Sequence, residues 1–271
     1  MLLTLDVGNT NTVLGIYSNP LENDHLVGDW RVSTHRDQTA DEYGVLFLNL
    51  LQMSNISPKE ITDIIVSSVV PPIDTTLRDV CERYFHRTPL FVEPGIRTGM
   101  PMLIDNPAEL GADRLVNAIA AFERYGGPCI IVDFGTATTF DVVSERGEFC
   151  GGAITPGVGI SADALFSRAA RLARVEIKRP AKVIGTNTVS NLQSGLYYGN
   201  IGLIDGILER MIEELGVTPK VIGTGGLSHV VLEDSKYIKT ADDMLTLEGL
   251  RILFQRNQQP RPRHITRGSA K

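Results

Sequence analysis

Cysteine is scarce in this chain: Cys81, Cys129 and Cys150 are the only three in 271 residues, and none shares a Cys-x-x-Cys spacing. An odd count without pairing points away from a disulfide framework and predicts reduced thiols in a cytosol-like setting, with Cys129 and Cys150 buried in or near strands. The five histidines (His25, His35, His86, His229 and His264) show no paired spacing and fall mainly in loops, turns or element ends. They receive neither a metal nor a catalytic role. No Gly-Lys pair occurs anywhere, which removes the Walker A phosphate loop. No apolar run is long enough to span a membrane. The sequence opens directly on an apolar run instead of a basic and apolar leader, so no secretory signal is expected and the protein is read as cytoplasmic. A net charge of −6 argues against nucleic acid as the main partner.

What is present is an ordinary globular composition, 42% apolar and 21% charged, in a length suited to one large or two medium domains. The organising feature is a repeat. Leu5-Asp6-Val7-Gly8-Asn9-Thr10-Asn11-Thr12 lies between two short apolar runs, and Ile130 to Val143 returns to the pattern through Asp133-Phe134-Gly135-Thr136-Ala137-Thr138-Thr139. Setting Asp6 on Asp133 puts Gly8 on Gly135 and Thr12 on Thr139. Each copy reads as a buried strand, an aspartate, a glycine-containing hydroxyl-rich turn and a second strand. The offset of 127 is nearly half the chain, which predicts duplicated domains. Gly8 permits close backbone approach, and the neighbouring amides and hydroxyls suit phosphate oxygens. Asp6, at a strand end, is placed to hold a hydrated Mg2+. An isolated copy would also fit an Asx-type hairpin turn; two matched copies favour phosphate binding.

The rest of the chain alternates strands and helices, which predicts α/β layering. Strands are expected over 24–33, with Trp30 and Val32 on one face, over 61–66 and over 90–92; helices are expected from Thr39 and from Pro71-Pro72. Residues 93–106 read as a loop. A helix carrying Leu115, Ile119 and Phe122 on one face follows and ends at Gly126-Gly127-Pro128. Asp113 and Arg114 sit in its first turn, where a carboxylate suits the helix dipole and could equally be plain capping. Gly157-Val158-Gly159-Ile160-Ser161-Ala162, with Glu176, matches a loose dinucleotide fingerprint, but Pro156 and the preceding hairpin argue for a glycine-rich helix start. A long helix is expected after Thr186-Asn187-Thr188, running to Leu215, with Gly195, Gly199 and Gly202 suited to close helix packing. Val221 to Gly226 reads as a strand entering a glycine turn, a third place for backbone to approach a nucleotide. Residues 245–254 form a closing helix, and 258–271 read as a basic, disordered tail.

The duplicated Asp-Gly turns and the late Gly223-Thr224-Gly225-Gly226 turn resemble the acetate and sugar kinase, actin and heat-shock chaperone superfamily. The resemblance implies two duplicated ribonuclease-H-like α/β domains, mixed sheets flanked by helices, with ATP in the cleft between them. It sharpens to the type III pantothenate kinase family. The motifs that carry it, in family order, are Asp6-Val7-Gly8-Asn9-Thr10, Ser67-Ser68-Val69-Val70-Pro71, Glu93-Pro94-Gly95-Ile96-Arg97-Thr98-Gly99 and Asp105-Asn106-Pro107. Gly111-Ala112-Asp113-Arg114, Asp133-Phe134-Gly135-Thr136-Ala137-Thr138, Gly151-Gly152-Ala153-Ile154 and Pro156-Gly157 complete them. The likeness spans Met1 to about Asn257. It places domains at 1–115 and 116–257.

The resemblance implies ATP-dependent phosphorylation of the primary hydroxyl of pantothenate, the first step of coenzyme A synthesis. It assigns Asp6, Val7, Gly8, Asn9, Thr10, Asn11, Thr12 and Val13 to the ATP phosphates, with Asp6 near Mg2+ and Thr136 as a second phosphate contact. Gly111, Ala112, Asp113 and Arg114, with Thr188, form the implied pantothenate pocket. Asp113 is the implied proton acceptor, Arg114 pairs with the pantothenate carboxylate, and Asp133 is the ligand of an activating K+ or NH4+. Family members are homodimers with the pantothenate pocket at or near the interface. Many carry a tyrosine just before the Asp-Asn-Pro segment; here Ile104 stands there, so no tyrosine contribution carries over. Two other readings are a catalytically inactive relative acting as a transcriptional accessory factor and an ATPase of the actin or chaperone kind. The presence of Asp6, Asp113 and Asp133 speaks against the first, and the short chain against the second.

Overall fold

The computed structural model describes residues 1–19, 25–169 and 172–258. Its frame is two sheets of five strands each, built to the same plan. In the first, β1 (Leu2–Val7) pairs antiparallel with β2 (Asn11–Tyr17) and parallel with β4 (Asp63–Ser68); β3 (Leu26–Ser33) and β5 (Leu90–Phe91) form the edges. In the second, β6 (Cys129–Phe134) pairs antiparallel with β7 (Ala137–Val143) and parallel with β9 (Lys220–Gly225); β8 (Phe149–Pro156) and β10 (Thr240–Ala241) are the edges. The orders β3-β2-β1-β4-β5 and β8-β7-β6-β9-β10 superimpose element for element, so the repeat seen in the sequence is a duplicated fold.

Helices divide the molecule into layers. On the outer face of the first sheet, α1 (Ala40–Met53) and α2 (Asp74–Phe85) pack Tyr43, Phe47, Leu77 and Val80 against Leu3, Leu5 and Ile64. On the outer face of the second, the 28-residue α5 (Thr188–Leu215) sets Tyr197, Ile201, Ile204 and Leu208 on Ile130, Val132 and Phe140, and the short α6 (Ser228–Leu232) adds Val231 to the same cluster. Between the sheets lie α3 (Ala112–Tyr125) and α7 (Leu245–Gln258), which bury Val116, Ile119, Leu250 and Leu253 against Leu2, Ile65, Ile131 and Ile222. Each strand residue therefore has a fixed address. Alternation sends Leu3, Leu5 and Val7 outward and leaves Thr4 and Asp6 facing the central layer; in β6 it sends Ile130, Val132 and Phe134 outward and leaves Ile131 and Asp133 facing in.

The central helices are shared. The third helix touches β4 of the first sheet and β6 and β7 of the second, while α7, the last helix among the described residues, lies on β1, β2 and β4. The division expected after Leu115 thus falls inside a helix common to both halves. The two helices cross closely at Gly249, where a Cβ would lie 2.2 Å from the Val116 carbonyl oxygen. Because sheets flank α3 on both sides, its burial runs without a break from Leu115 to Ala121 instead of along one stripe.

Several expectations shift in detail. The fourth strand starts at Asp63, not Ile61, and so carries Ser67 and Ser68 to the end where Asp6 lies. Pro71-Pro72 first makes a 3-10 turn over Pro71–Ile73 before α2 begins. The hairpin alignment is corrected beyond the turn: Thr12 pairs with Val7, and its counterpart pairing with Phe134 is Thr138, not Thr139. The first turn is one residue longer than the second, so the two copies fall out of step there. Cys129 is buried as expected, but Cys150 is exposed, because it is the unpaired residue at a bulge in the edge strand β8, between Phe149, which pairs with Val143, and Gly151, which pairs with Val142. Gly157 caps α4 (Val158–Arg168), so the loose dinucleotide fingerprint is a helix start. Thr39 and Glu42 close a capping box on α1. The basic tail beyond Gln258, including His264, lies outside the described residues.

Candidate active site

Both hairpin tips point to the same end of the central layer and meet there. The hydroxyls of Thr10 and Thr136 lie 2.8 Å apart, joining the two copies of the motif across 126 residues. Gly8 N–H donates to the Asn11 carbonyl at 2.9 Å and Gly135 N–H to the Ala137 carbonyl at 3.1 Å, closing each turn. Arg36 Nη2 donates to Asn9 Oδ1 at 2.6 Å and braces the first tip from outside. Arg31 stands in the cross-strand row of Asp6 and Val13, on the inward face.

Below the tips, four carboxylates converge on the first turn of α3. Asp6 comes from β1, Asp133 from β6, Asp113 from the helix itself and Asp141 from β7. Gly111 caps the helix, and its bare Cα leaves room for Asp113, whose Oδ1 would sit 2.7 Å from a Cβ there. The Asp113 carboxylate accepts the Arg114 backbone N–H at 2.8 Å. The Asp133 carboxylate accepts Asn117 Nδ2 at 3.0 Å, and Asn117 Oδ1 in turn accepts the Thr246 hydroxyl of α7 at 2.7 Å. Gly225, at φ +86°, passes so close that a Cβ would meet Asp133 Oδ1 at 2.6 Å. The Ser67 hydroxyl, fully buried beside Asp6, acts on that carboxylate without reaching hydrogen-bond geometry.

Crowding shapes the proton affinities. Burial, then the charges of Asp113 and Asp133, push the Asp6 carboxyl up to about 7. Burial, then Asp113 and Asp141, push Asp133 up to about 7 as well. Asp141 rises to about 6 through burial, held back by Arg114, and Asp113 is raised by burial against the pull of its backbone hydrogen bond and Arg114. Carboxylates forced together away from water favour any cation that enters among them. The donors are hard oxygens, which suit Mg2+ and K+ rather than a soft metal. Among the described residues, no preformed cluster of three or more His, Cys, Asp or Glu is arranged to hold a metal by itself. The fit is that of a cation held by one or two carboxylates together with phosphate oxygens.

The structure brings together Asp6 to Val13, Gly111 to Arg114, Asp133 and Thr136. Thr188 stands apart from their hydrogen bonds: it is the first residue of α5 and lines an apolar hollow of about 430 Å³ with Leu165, Leu172 and Leu192. Arg114 is already engaged, since its Nε and Nη2 donate to Asp141 Oδ1 at 2.9 and 2.5 Å. Ile104 packs against the central core near Gly151. Asn117 and Asp141 were missed in the sequence. Their signal was there: each is a lone polar residue within an apolar run, Leu115 to Ala121 and Phe140 to Val143.

Comparison with known proteins now decides the family. Residues 2–210 match the family model for type III pantothenate kinase. The chain belongs to the type III pantothenate kinase family. A type III pantothenate kinase of Koribacter versatilis is 65% identical over 264 residues, covering 95% of this chain and 96% of its own. Among solved structures, one from Sinorhizobium meliloti described as a 2-dehydro-3-deoxygalactonokinase aligns with TM-score 0.56 and 13% identity over 93% of this chain and 98% of its own. A Campylobacter jejuni protein described as a Baf family transcriptional activator aligns with TM-score 0.57 and 18% identity over 94% and 98%. At such identities these two share the fold alone. The protein is a kinase built from two ribonuclease-H-like domains. No helix among the described residues is long and apolar enough to cross a membrane.

Proposed function

We propose that this kinase transfers the γ-phosphoryl group of ATP to the primary hydroxyl of pantothenate, giving 4'-phosphopantothenate at the start of coenzyme A synthesis. The observation that carries the reading is Asp113, a carboxylate held by a helix N-terminus between two phosphate-type turns and beside Asp6 and Asp133.

The backbone and hydroxyls of Gly8 to Thr12, with Asp6, Val7 and Val13 framing them and Thr136 opposite, receive the phosphates. Phosphoryl transfer asks little covalent chemistry of a protein; positioning and charge do most of the work. Gly111 and Ala112 line the path of the acceptor, with Thr188 as a more distant wall. Asp113 aligns the attacking hydroxyl and takes its proton as the phosphoryl group leaves. Its raised proton affinity makes it a better base than an ordinary carboxylate. Arg114 presents its free N–H groups to the pantothenate carboxylate. Mg2+ beside Asp6 and K+ or NH4+ at Asp133 would supply positive charge that offsets the polyphosphate and the crowded carboxylates. Asn117 fixes the Asp133 carboxylate for that purpose.

The active form is proposed to be a cytoplasmic homodimer. The support is the outer face of α5, where Gly195, Gly199 and Gly202 have no neighbour within 4 Å of a Cβ and Leu203 stands 38% exposed. The test of the reaction is the product: incubation with ATP, Mg2+, K+ and pantothenate, with mass spectrometry of the small molecules. A singly phosphorylated pantothenate is expected; unchanged pantothenate with ATP consumed would sink the reading.

A further inference from the structure

Asp141 is the one carboxylate of the cluster with no task in the proposed reaction. It lies inside β7 between Phe140 and Val142, 1% exposed, facing the central layer opposite Ile131. A charge in such a place persists only when it is paired and hydrogen-bonded. Both conditions are met by neighbours on one side. Oδ1 accepts Nε and Nη2 of Arg114 at 2.9 and 2.5 Å, and Oδ2 accepts the Thr139 hydroxyl at 3.3 Å. The guanidinium carbon lies 5.8 Å from the centre of the Phe149 ring, which limits the plane in which it can turn.

A guanidinium carries five N–H donors in a rigid fork. Asp141 takes the Nε–H and one Nη2–H. Two on Nη1 and one on Nη2 remain, and these form the end-on fork, a different edge from the one Asp141 holds. A mobile arginine could meet an anion by either edge; this one can offer only its end. We propose that Asp141 is a positioning residue that sets substrate specificity: by gripping the Nε–Nη2 edge of Arg114 it leaves the Nη1–Nη2 end as a fixed receptor for the substrate's carboxylate. The proposal rests on the reading of Arg114 as the partner of that carboxylate. Thr139 sits two residues away on the same face and fixes the rotation of Asp141, so it acts one step further back.

A purely structural role for the pair makes a different forecast, because an acid-ended and a neutral-ended substrate would then suffer alike. The experiment measures kcat/KM for pantothenate and for pantothenol, in which a hydroxymethyl group replaces the carboxylate. The enzymes are the unaltered protein, Asp141→Asn, Arg114→Gln and the double variant. Asp141→Asn is expected to lower the preference for pantothenate over pantothenol by about tenfold to a hundredfold, mostly through KM, with KM for ATP unchanged. In the Arg114→Gln background the same change is expected to add less than about threefold, the mark of two residues acting as one. Equal losses on both substrates, or additive effects in the double variant, would overturn the proposal while leaving Arg114 its role. If Arg114→Gln itself leaves the preference intact, the reading of Arg114 fails and the proposal falls with it. Should Asp141→Asn not fold, Thr139→Val keeps both charges and carries the test: the preference is expected to fall about twofold or more, and an unchanged preference overturns the proposal.

Discussion

Replacing Asp133 by asparagine should stabilise the protein and silence its response to K+. Asp133 ionises at about 7 instead of 3.8, because burial and the charges of Asp113 and Asp141 oppose its negative form. At about 1.4 kcal/mol per pH unit, three units set an upper bound of about 4 kcal/mol on what the ionised carboxylate costs the fold. Most of that penalty is burial of the charge, and the rest is repulsion shared with Asp113 and Asp141. The asparagine amide still has to be buried, so the change recovers about 1–3 kcal/mol. Asparagine keeps an oxygen for Asn117 Nδ2, so the hydrogen bond survives the change. For a chain of this size that is a Tm rise of about 2–5 °C. The sign follows from linkage. The folded carboxyl binds its proton more tightly than the unfolded one, so the penalty is absent below pH 4, grows between 4 and 7, and is complete above 7. Thermal unfolding in buffers free of K+, from pH 4.5 to 8.5, should show the two proteins converging at the acid end and separating at the alkaline end. Added K+ should raise the Tm of the unaltered protein alone. A gap of constant size across pH, or a variant less stable at pH 8, would refute the electrostatic reasoning.

Other consequences follow from the same geometry. Asp113→Asn should leave ATP binding intact and lower kcat by about two to four orders of magnitude, measured as steady-state turnover; near-normal turnover would remove Asp113 as the base. Thr136→Val deletes one hydroxyl at the meeting of the two tips and should raise KM for ATP about tenfold, with KM for pantothenate unmoved. Asn117→Leu removes the donor to Asp133 and the acceptor of Thr246, and should cost about 1–3 kcal/mol in urea unfolding and weaken K+ activation. Gly249→Ala places a methyl against the Val116 carbonyl at the crossing of α3 and α7 and should cost about 1–3 kcal/mol in the same assay.

Much of this was legible in the chain itself. The repeated Asp-Gly turn gave the duplication, and alternation alone assigns Asp6 and Asp133 to inward-facing positions. Asp113 and Arg114 could be placed at a helix start from their spacing to Leu115 and Ile119. The rest depended on contacts distant in sequence. Nothing local says that α7 lies on the first sheet, so the Thr246–Asn117–Asp133 chain joins three elements that no pattern connects. Asn117 and Asp141 looked like blemishes in apolar runs because their partners come from other strands and helices. The length difference between the two turns hid the equivalence of Thr12 and Thr138, since an alignment fixed on the aspartates slips once a residue is inserted. Cys150 was misjudged because it sits at a bulge in an edge strand, and both the bulge and the edge are properties of the sheet rather than of the local sequence.

The most direct test of the central claim is ADP release from ATP and Mg2+, with and without pantothenate, in K+ and again with Na+ in its place. Release that requires both pantothenate and K+ is the expected result. Release without pantothenate would make the protein an ATPase, and none under any condition from folded protein would contradict the kinase account and favour a regulatory role.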